Sequence, residues 1–268
     1  FPASSELDFQ ACKRLAEIAP ENTVISALAR TVEKDILKGI EAIQHCAKPR
    51  LHTFIAMSPF NMKYVLNKEP HEVRKLAVEA VAFAKEKLPK NGEIEFSIEH
   101  FGDCAENIDY VIETLKDVVN AGAHVINLPN TVERERVKNF VTLVEKVYDA
   151  LPKDIIISVH CHNDLGMAAG CSVLGAKAAI DAGVNAYINT AINGMGERAG
   201  NADLISCLLA VLKSSGFGGK YKIDPNIDLS KAWKLAKYTA YAFGVPIPIN
   251  QPAVGRNAFA HESGMHAD

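Results

Sequence analysis

The sequence predicts an α/β protein built from consecutive parallel βαβ units. Three observations carry this expectation. Short apolar runs rich in β-branched residues return at a step of about thirty residues, with helix-length amphipathic stretches between them. One such stretch places Ile108, Val111, Ile112, Leu115, Val118 and Val119 at the i, i+3, i+4, i+7 spacing of a half-buried helix, and it ends at Gly122, a good C-terminal cap. Finally, a phrase repeats. Ala121-Gly122-Ala123-His124-Val125-Ile126-Asn127 resembles Ala182-Gly183-Val184-Asn185-Ala186-Tyr187-Ile188-Asn189, two steps further along. A helix end, a glycine and a strand start recurring together is the imprint of a repeated βα unit.

Taken in order, strands are expected at 24–28, 51–56, 94–98, 125–128, 155–160 and 186–190. The first two are short apolar runs. The third alternates Ile94, Phe96 and Ile98 with polar neighbours. The fourth follows the Gly122 cap at once, the fifth opens on Ile155-Ile156-Ile157, and the sixth follows the second copy of the repeated phrase. After Thr190 the alternation stops. Helices are expected near 202–212 and 229–243, the second with Leu229, Ala232, Trp233, Ala236, Ala240 and Phe243 on one face. Val245-Pro246-Ile247-Pro248-Ile249 then leads into a polar, glycine-containing tail that reads as the start of an accessory segment. Six strands alternating with helices fit a doubly wound sheet or an incomplete (β/α)8 barrel. No GxGxxG follows the first strand, which argues against a dinucleotide fold.

The bulk numbers narrow the function classes. The chain has 268 residues, 48% hydrophobic and 23% charged, an ordinary globular composition for one large α/β domain. A net charge of −3 without a Lys/Arg block offers no field for nucleic acid, and the apolar runs are too short to span a bilayer. Cys12, Cys46, Cys104, Cys161, Cys171 and Cys207 are scattered with no CxxC pair, which suits reduced thiols and a cytoplasmic location better than a disulfide scaffold.

The stretch Ser158-Val159-His160-Cys161-His162-Asn163-Asp164 is the most informative in the chain. At the end of a strand, alternation turns His160 and His162 to one side and Cys161 to the other, with Asn163 and Asp164 opening a helix. Two imidazoles so placed make half a metal site. A lone buried histidine is usually a hydrogen-bonded core residue, but a pair at period two favours a cation. At least one carboxylate ligand must come from elsewhere. Mixed N/O ligation suits Zn²⁺, Mn²⁺ or Mg²⁺, with imidazole tilting the balance to the first two, and the ion's work would be to polarise a carbonyl.

Other polar residues recur at strand ends: His52, Ser97 with Glu99 on one face, Asn130 with Thr131, and the run from Asn193 to Asn201. Each alone is most simply a loop or cap residue. In a barrel, however, all these ends meet at one mouth. The run Asn193-Gly194-Met195-Gly196-Glu197-Arg198-Ala199-Gly200-Asn201 reads either as a flexible turn with Asn201 capping a helix at Ala202, or as a loop whose glycines let backbone approach a ligand, with Glu197, Arg198 and Asn201 in contact. His266 is a lone histidine in the tail, of a type that is usually just exposed. His45, His71, His100 and His124 read as structural or surface residues.

Together these strings resemble the catalytic barrel of the 2-isopropylmalate synthase family, with homocitrate and citramalate synthases and the wider group that includes hydroxymethylglutaryl-CoA lyase. The matching phrases are Phe1-Pro2-Ala3-Ser4-Ser5, Ala27-Leu28-Ala29-Arg30, Leu51-His52-Thr53-Phe54-Ile55-Ala56, Phe96-Ser97-Ile98-Glu99, Leu128-Pro129-Asn130-Thr131-Val132-Glu133, the HxHND string, the NGxGERxGN string, and Ala258-Phe259-Ala260-His261-Glu262-Ser263-Gly264-Met265-His266. The resemblance covers essentially the whole chain, and His52-Thr53-Phe54-Ile55-Ala56 leans toward the isopropylmalate branch.

The resemblance implies a (β/α)8 TIM barrel over 1–220, with a C-terminal helix and the start of a linker subdomain over 221–268. It implies His160 and His162 as ligands of a divalent metal (Mn²⁺, Zn²⁺ or Mg²⁺), with Asn201 on or near it. His52, Ser97 and Thr131 would line the 2-oxoacid pocket, with Arg198 also binding substrate. Glu99 would be an acid/base near the reacting carbons, and Glu197 with His266 an alternative base dyad near the thioester. The implied reaction condenses acetyl-CoA with 2-oxoisovalerate to give 2-isopropylmalate, an acyl transfer at the head of leucine biosynthesis. The alternatives are a citramalate or homocitrate synthase, or a metal-dependent lyase of the hydroxymethylglutaryl-CoA type. The implied partners are acetyl-CoA, a small 2-oxoacid and a second copy in a homodimer, with no nucleic acid and no membrane.

Two departures from the family pattern carry expectations. The family's first strand bears a Leu-Arg-Asp-Gly string whose Asp is a third metal ligand, and this chain has none. It opens at the Phe-Pro that closes the second strand, so the first strand and most of the second are expected to be absent and the piece as given to be inactive. The segment 171–189 is also about one helical turn longer than the family spacing, which either lengthens a helix or displaces Asn201.

Overall fold

The computed structural model describes residues 1–217, 221 and 224–262. Six strands form one parallel sheet: β1 (Val24–Arg30), β2 (Lys48–Ala56), β3 (Glu93–Glu99), β4 (Val125–Asn130), β5 (Ile156–Cys161) and β6 (Ala186–Asn189). Helices α2 (Glu33–Ile43), α3 (Pro70–Lys87), α4 (Ile108–Ala121), α5 (Val137–Ala150) and α6 (Ala168–Asp181) make the crossovers, α1 (Glu6–Ile18) precedes β1, and α7 (Leu204–Lys213) and α8 (Ala232–Phe243) follow β6. Sheet order equals chain order, β1 to β6. A doubly wound sheet must reverse its order at a switch point. Monotonic order with every strand parallel is the wall of a (β/α)8 barrel, and all six expected strands are present.

Strands β1 to β5 are buried on their outer side against the helices. Ala27, Ala29, Leu51, Ile94, Phe96, Ile98, Ile126, Leu128, Ile157, Val159 and Cys161 are all shielded from solvent there. Contact is close enough to need glycine. A Cβ on Gly39 of α2 would lie 2.8 Å from Leu51 Cδ1. The Gly122 cap behaves as expected, ending α4 with φ +120 and its N–H on the last carbonyls of that helix.

Four expectations change. α1 and a π-helical turn at Asn61–Leu66 were not anticipated. The helix expected at 202 begins at Leu204, capped by Asp203, whose side chain accepts from Ser206 N at 2.8 Å, so Asn201 is not the cap. Asn163 and Asp164 do not open α6 directly: 163–167 is a turn, and Asn163 Oδ1 accepts from Ala168 N at 3.3 Å. On α8 the buried residues are Ala236 and Thr239, while Trp233 and Phe243 stay exposed: the helix meets the segment around Asn193, whose side-chain amide donates to Ala236 O at 2.9 Å. Among the described residues no helix is long and apolar enough to cross a membrane.

Candidate active site at the strand ends

Strand alternation sends the even positions of β2 and β5, and the odd positions of β3, β4 and β6, to the inner face. There the side chains are polar, and register joins them. Ser97 lies opposite Asn127, Asn127 opposite Ser158, and His160 opposite Asn189. One row of hydrogen bonds crosses five strands. His52 Nε2 lies 2.6 Å from Ser97 Oγ, Asn127 Nδ2 donates to the same Oγ at 2.7 Å, and Asn189 Nδ2 donates to Asn127 Oδ1 at 2.9 Å and Ser158 Oγ at 3.1 Å. Below the row, Arg50 pairs with Glu93 at 2.6 Å and Glu95 at 3.5 Å and donates to the Tyr187 hydroxyl at 3.3 Å. Ser97, Asn127, Ser158, Arg50 and Glu95 are buried, and these bonds satisfy them.

At the mouth, the β5 alternation does what the sequence required. The His160 and His162 rings share a side with centroids 5.0 Å apart, while Cys161 turns outward into the core. Burial is the main cause that pushes the His160 ring down to about 4, with His162 and His52 adding to it. Burial also lowers His162, followed by the nearby Arg198 guanidinium. Both rings are therefore neutral at neutral pH and keep a lone pair. Asn201 Nδ2 sits 3.0 Å from His160 Nε2, and His162 pairs with Asn201 in an isolated bridge, so Asn201 stands beside both imidazoles. Gly196 permits this placement, since a Cβ there would fall 1.7 Å from Asn201 Oδ1. His162 Nδ1 is buried with no hydrogen-bond partner.

This donor set suits a divalent cation in kind: two neutral imidazoles and one carboxamide at a single rim, with a ring nitrogen left unsatisfied. It supplies no carboxylate. Among the described residues no group of three or more His, Cys, Asp or Glu side chains is arranged to hold a metal ion.

Glu99, at the end of β3, is held above the usual carboxylate range by burial, with Glu197 pushing the same way and His100 and a Thr131 hydrogen bond pulling back. Thr131 Oγ1 accepts from His100 N at 3.0 Å. Glu197 is exposed on the rim. Arg198, expected to meet substrate, is engaged within the protein. It forks onto Asp164 at 2.8 and 2.9 Å and donates to the Thr131 carbonyl. A polar cavity of about 570 Å³ opens beside Asn201, lined by Asn163, Gly194, Asp203, Asn250 and Gln251 among others. His266 lies outside the described residues.

Sequence reasoning missed Asn127, Ser158 and Asn189, although polar residues two apart in apolar strands were the available signal. Of the histidines read as structural or surface residues, His100 pairs with Asp103, 2.9 Å from Nδ1 to Oδ2, and His124 Nδ1 accepts from Ile94 N at 3.1 Å.

Comparison with known proteins places this geometry in context. The HMGL-like family model matches residues 1–238. A "2-isopropylmalate synthase 2" of Leptospira interrogans is 40% identical over all of this chain and 60% of its own length. A "Citrate (Re)-synthase" of Dehalococcoides mccartyi is 61% identical over 127 residues, 47% of this chain and 29% of that protein. The solved structure of an HMG-CoA lyase from Acinetobacter baumannii, in complex with coenzyme A and 3-methylmalate, superposes with a TM-score of 0.70 at 17% identity, covering 98% of this chain and 83% of that one, a likeness of fold. The chain spans 50–60% of the length of the curated 2-isopropylmalate synthases it matches.

Proposed function

This chain belongs to the HMGL-like family, and from that premise we propose that it carries the site at which an acyltransferase condenses acetyl-CoA with a 2-oxoacid, 2-oxoisovalerate being the first reading. The observation that carries the proposal is the pair of neutral imidazoles, His160 and His162, standing at the end of the buried polar row. His160, His162 and Asn201 would hold a divalent ion (Mn²⁺, Zn²⁺ or Mg²⁺), which when bound supplies Lewis-acid polarisation of a ketone.

The chain's own groups do the rest. His52 and Ser97, 2.6 Å apart, share one hydrogen bond, which leaves the pair one donor to turn toward a 2-oxoacid carboxylate. Glu99, with its carboxyl held above the ordinary range, is suited to take a proton from the thioester methyl at a carboxylate oxygen, because a base poised nearer neutrality exchanges protons in both directions. Thr131 steadies that carboxylate through its hydroxyl. Glu197 stands on the exposed rim as a second carboxylate for the thioester end. The cavity beside Asn201 gives an acyl-CoA a polar way in. Holding both substrates at one mouth supplies the orientation on which the condensation depends.

A second reading has its own support. The stretch that is 61% identical to a citrate-forming enzyme, and the polar character of His52, Ser97, Asn127 and Asn189, favour a 2-oxoacid with a second carboxylate, namely oxaloacetate. Steady-state kinetics of the full-length protein with acetyl-CoA and, in turn, 2-oxoisovalerate, oxaloacetate, pyruvate and 2-oxoglutarate decide between them. A kcat/KM highest for 2-oxoisovalerate upholds the first reading, and one highest for oxaloacetate replaces it with the second. Release of acetyl-CoA from a hydroxyacyl-CoA, with no condensation of any 2-oxoacid, would overturn both in favour of a lyase.

A further inference from the structure

Glu133 lies between β4 and α5, carries a φ of +52 and is fully buried. A bulky side chain in the left-handed region is disfavoured, and so is a carboxylate removed from water. Both hold together only where the surroundings over-determine them. The surroundings here are one loop. The Glu133 carboxylate accepts from Leu165 N through one oxygen and from Met167 N, at 2.6 Å, through the other. It therefore straddles the turn 163–167 that joins β5 to α6, at the positive end of that helix.

The turn's other ties stay within it or reach the rim: Asn163 O accepts from Gly166 N at 3.2 Å and Asn163 Oδ1 from Ala168 N at 3.3 Å, and Met167 packs against the core. Leu165 is exposed. Asn163 N donates to Gly200 O at 2.9 Å, and Asp164 is forked by Arg198 from the rim. Glu133 is the grip from beneath, and His162 stands at the head of the same turn. Its own N–H reaches Asn130 O only at a long 3.4 Å, and its bridge to Asn201 closes through Asn163 N, the first amide of the turn, so the path of the turn bears on where the ring points.

We propose that Glu133 is a positioning residue: its buried carboxylate, bridging the Leu165 and Met167 amides, fixes the 163–167 turn and through it the His162 ring, and so sets the affinity of the rim for a divalent cation. The clamp stands on the geometry alone, while its effect on a cation rests on the proposed function. A partner residue that orients a ligand without touching the ion commonly changes metal affinity by about 10–100-fold.

The test uses the full chain and three variants. Glu133→Gln keeps the shape but offers one acceptor and one donor to two N–H groups. Glu133→Gly removes the carboxylate and at the same time the left-handed strain, so it remains foldable. Glu133→Asp keeps the charge on a shorter arm. Amide exchange followed by NMR should quicken about tenfold at Leu165 and Met167 in the Gln and Gly variants, while amides in β2 and β3 stay as slow as before. Titration with Mn²⁺ alone should show affinity about tenfold weaker in the same two variants, with Glu133→Asp recovering part of it. Unchanged exchange at Leu165 and Met167 overturns the clamp even where Mn²⁺ binds. Quickened exchange with unaltered Mn²⁺ affinity overturns the coupling to the cation. An unsubstituted chain that takes up no Mn²⁺, yet shows Glu133-dependent protection, overturns the metal reading of the proposed function and leaves the clamp in place.

Discussion

Phe96 and Ser97 are neighbours in β3, and they live in different media. Phe96 points outward, fully buried among the apolar residues between sheet and helices. Ser97 points inward, equally buried, but holds His52 and Asn127 by hydrogen bonds. The contrast is sharpest along β3, β4 and β5. The outer face is apolar and close-packed, and the inner face is a row of amides, hydroxyls and imidazoles. One residue of parity separates the positions that stabilise the wall from those that equip the mouth. Phe96 and Ser97 are equally buried, so burial alone says nothing about role. What differs is whether the buried group needs a partner.

The largest expected effect is on the outer face. Phe96→Ala removes a fully buried ring from a close-packed layer, where the cavity can close only partly, and should cost about 3–5 kcal/mol in urea unfolding. A cost below about 1 kcal/mol would mean the outer layer is loosely packed, and the contrast between faces would fail.

The inner face should answer to pH where the outer face does not. Burial, helped by Arg50, pushes the His52 ring down to about 4, from an ordinary value of 6.5. Between those two values the unfolded chain takes up a proton and the folded chain does not. Stability present above pH 6.5 is therefore lost as pH falls toward 4, on the order of 3 kcal/mol at the limit for this one group. His160 adds a loss of the same sign. Glu99 works the other way, since a carboxyl raised by burial makes the fold less stable as pH rises through its window. His52→Gln keeps an amide for Ser97 and cannot titrate, so its acid slope should be shallower than that of the unsubstituted chain. Equal slopes in calorimetry from pH 7 to pH 4 would show that His52 is charged in the fold.

Much of the wall was legible because parity and periodicity are local. The six strands and the common side of His160 and His162 follow from alternation alone. α1 was not legible because its pattern is poor: Leu7, Leu15 and Ile18 are exposed and only Phe9 and Ala16 are buried. The face foreseen on α8 was a true apolar stripe, but a stripe predicts burial only where another element arrives to cover it. In the site, residue types could be read and partners could not. Nothing local tells Arg198 to fork onto Asp164, and nothing local says that Asn127 and Asn189 meet, because that meeting depends on the register of β4, β5 and β6. Glu133 was the least legible, since its φ and its two amides belong to the folded chain only.

The smallest effect is the most discriminating. Ser97→Ala deletes one oxygen and leaves the volume nearly unchanged, so the outer layer is untouched. It strips Asn127 Nδ2 of its acceptor and His52 Nε2 of its partner, both in a buried row where an unmatched group costs more than the bond it lost. Asn127 keeps its other bond, from Asn189 to Oδ1, and the row does not come apart. The expected cost is about 2 kcal/mol, smaller than that of Phe96→Ala next door. Restoring a hydroxyl with Ser97→Thr should regain part of it, although the added methyl must find room. If Ser97→Ala proved neutral in urea unfolding, water would have to be standing in for the hydroxyl, and the inner face would be wet and adaptable instead of a row whose members hold one another.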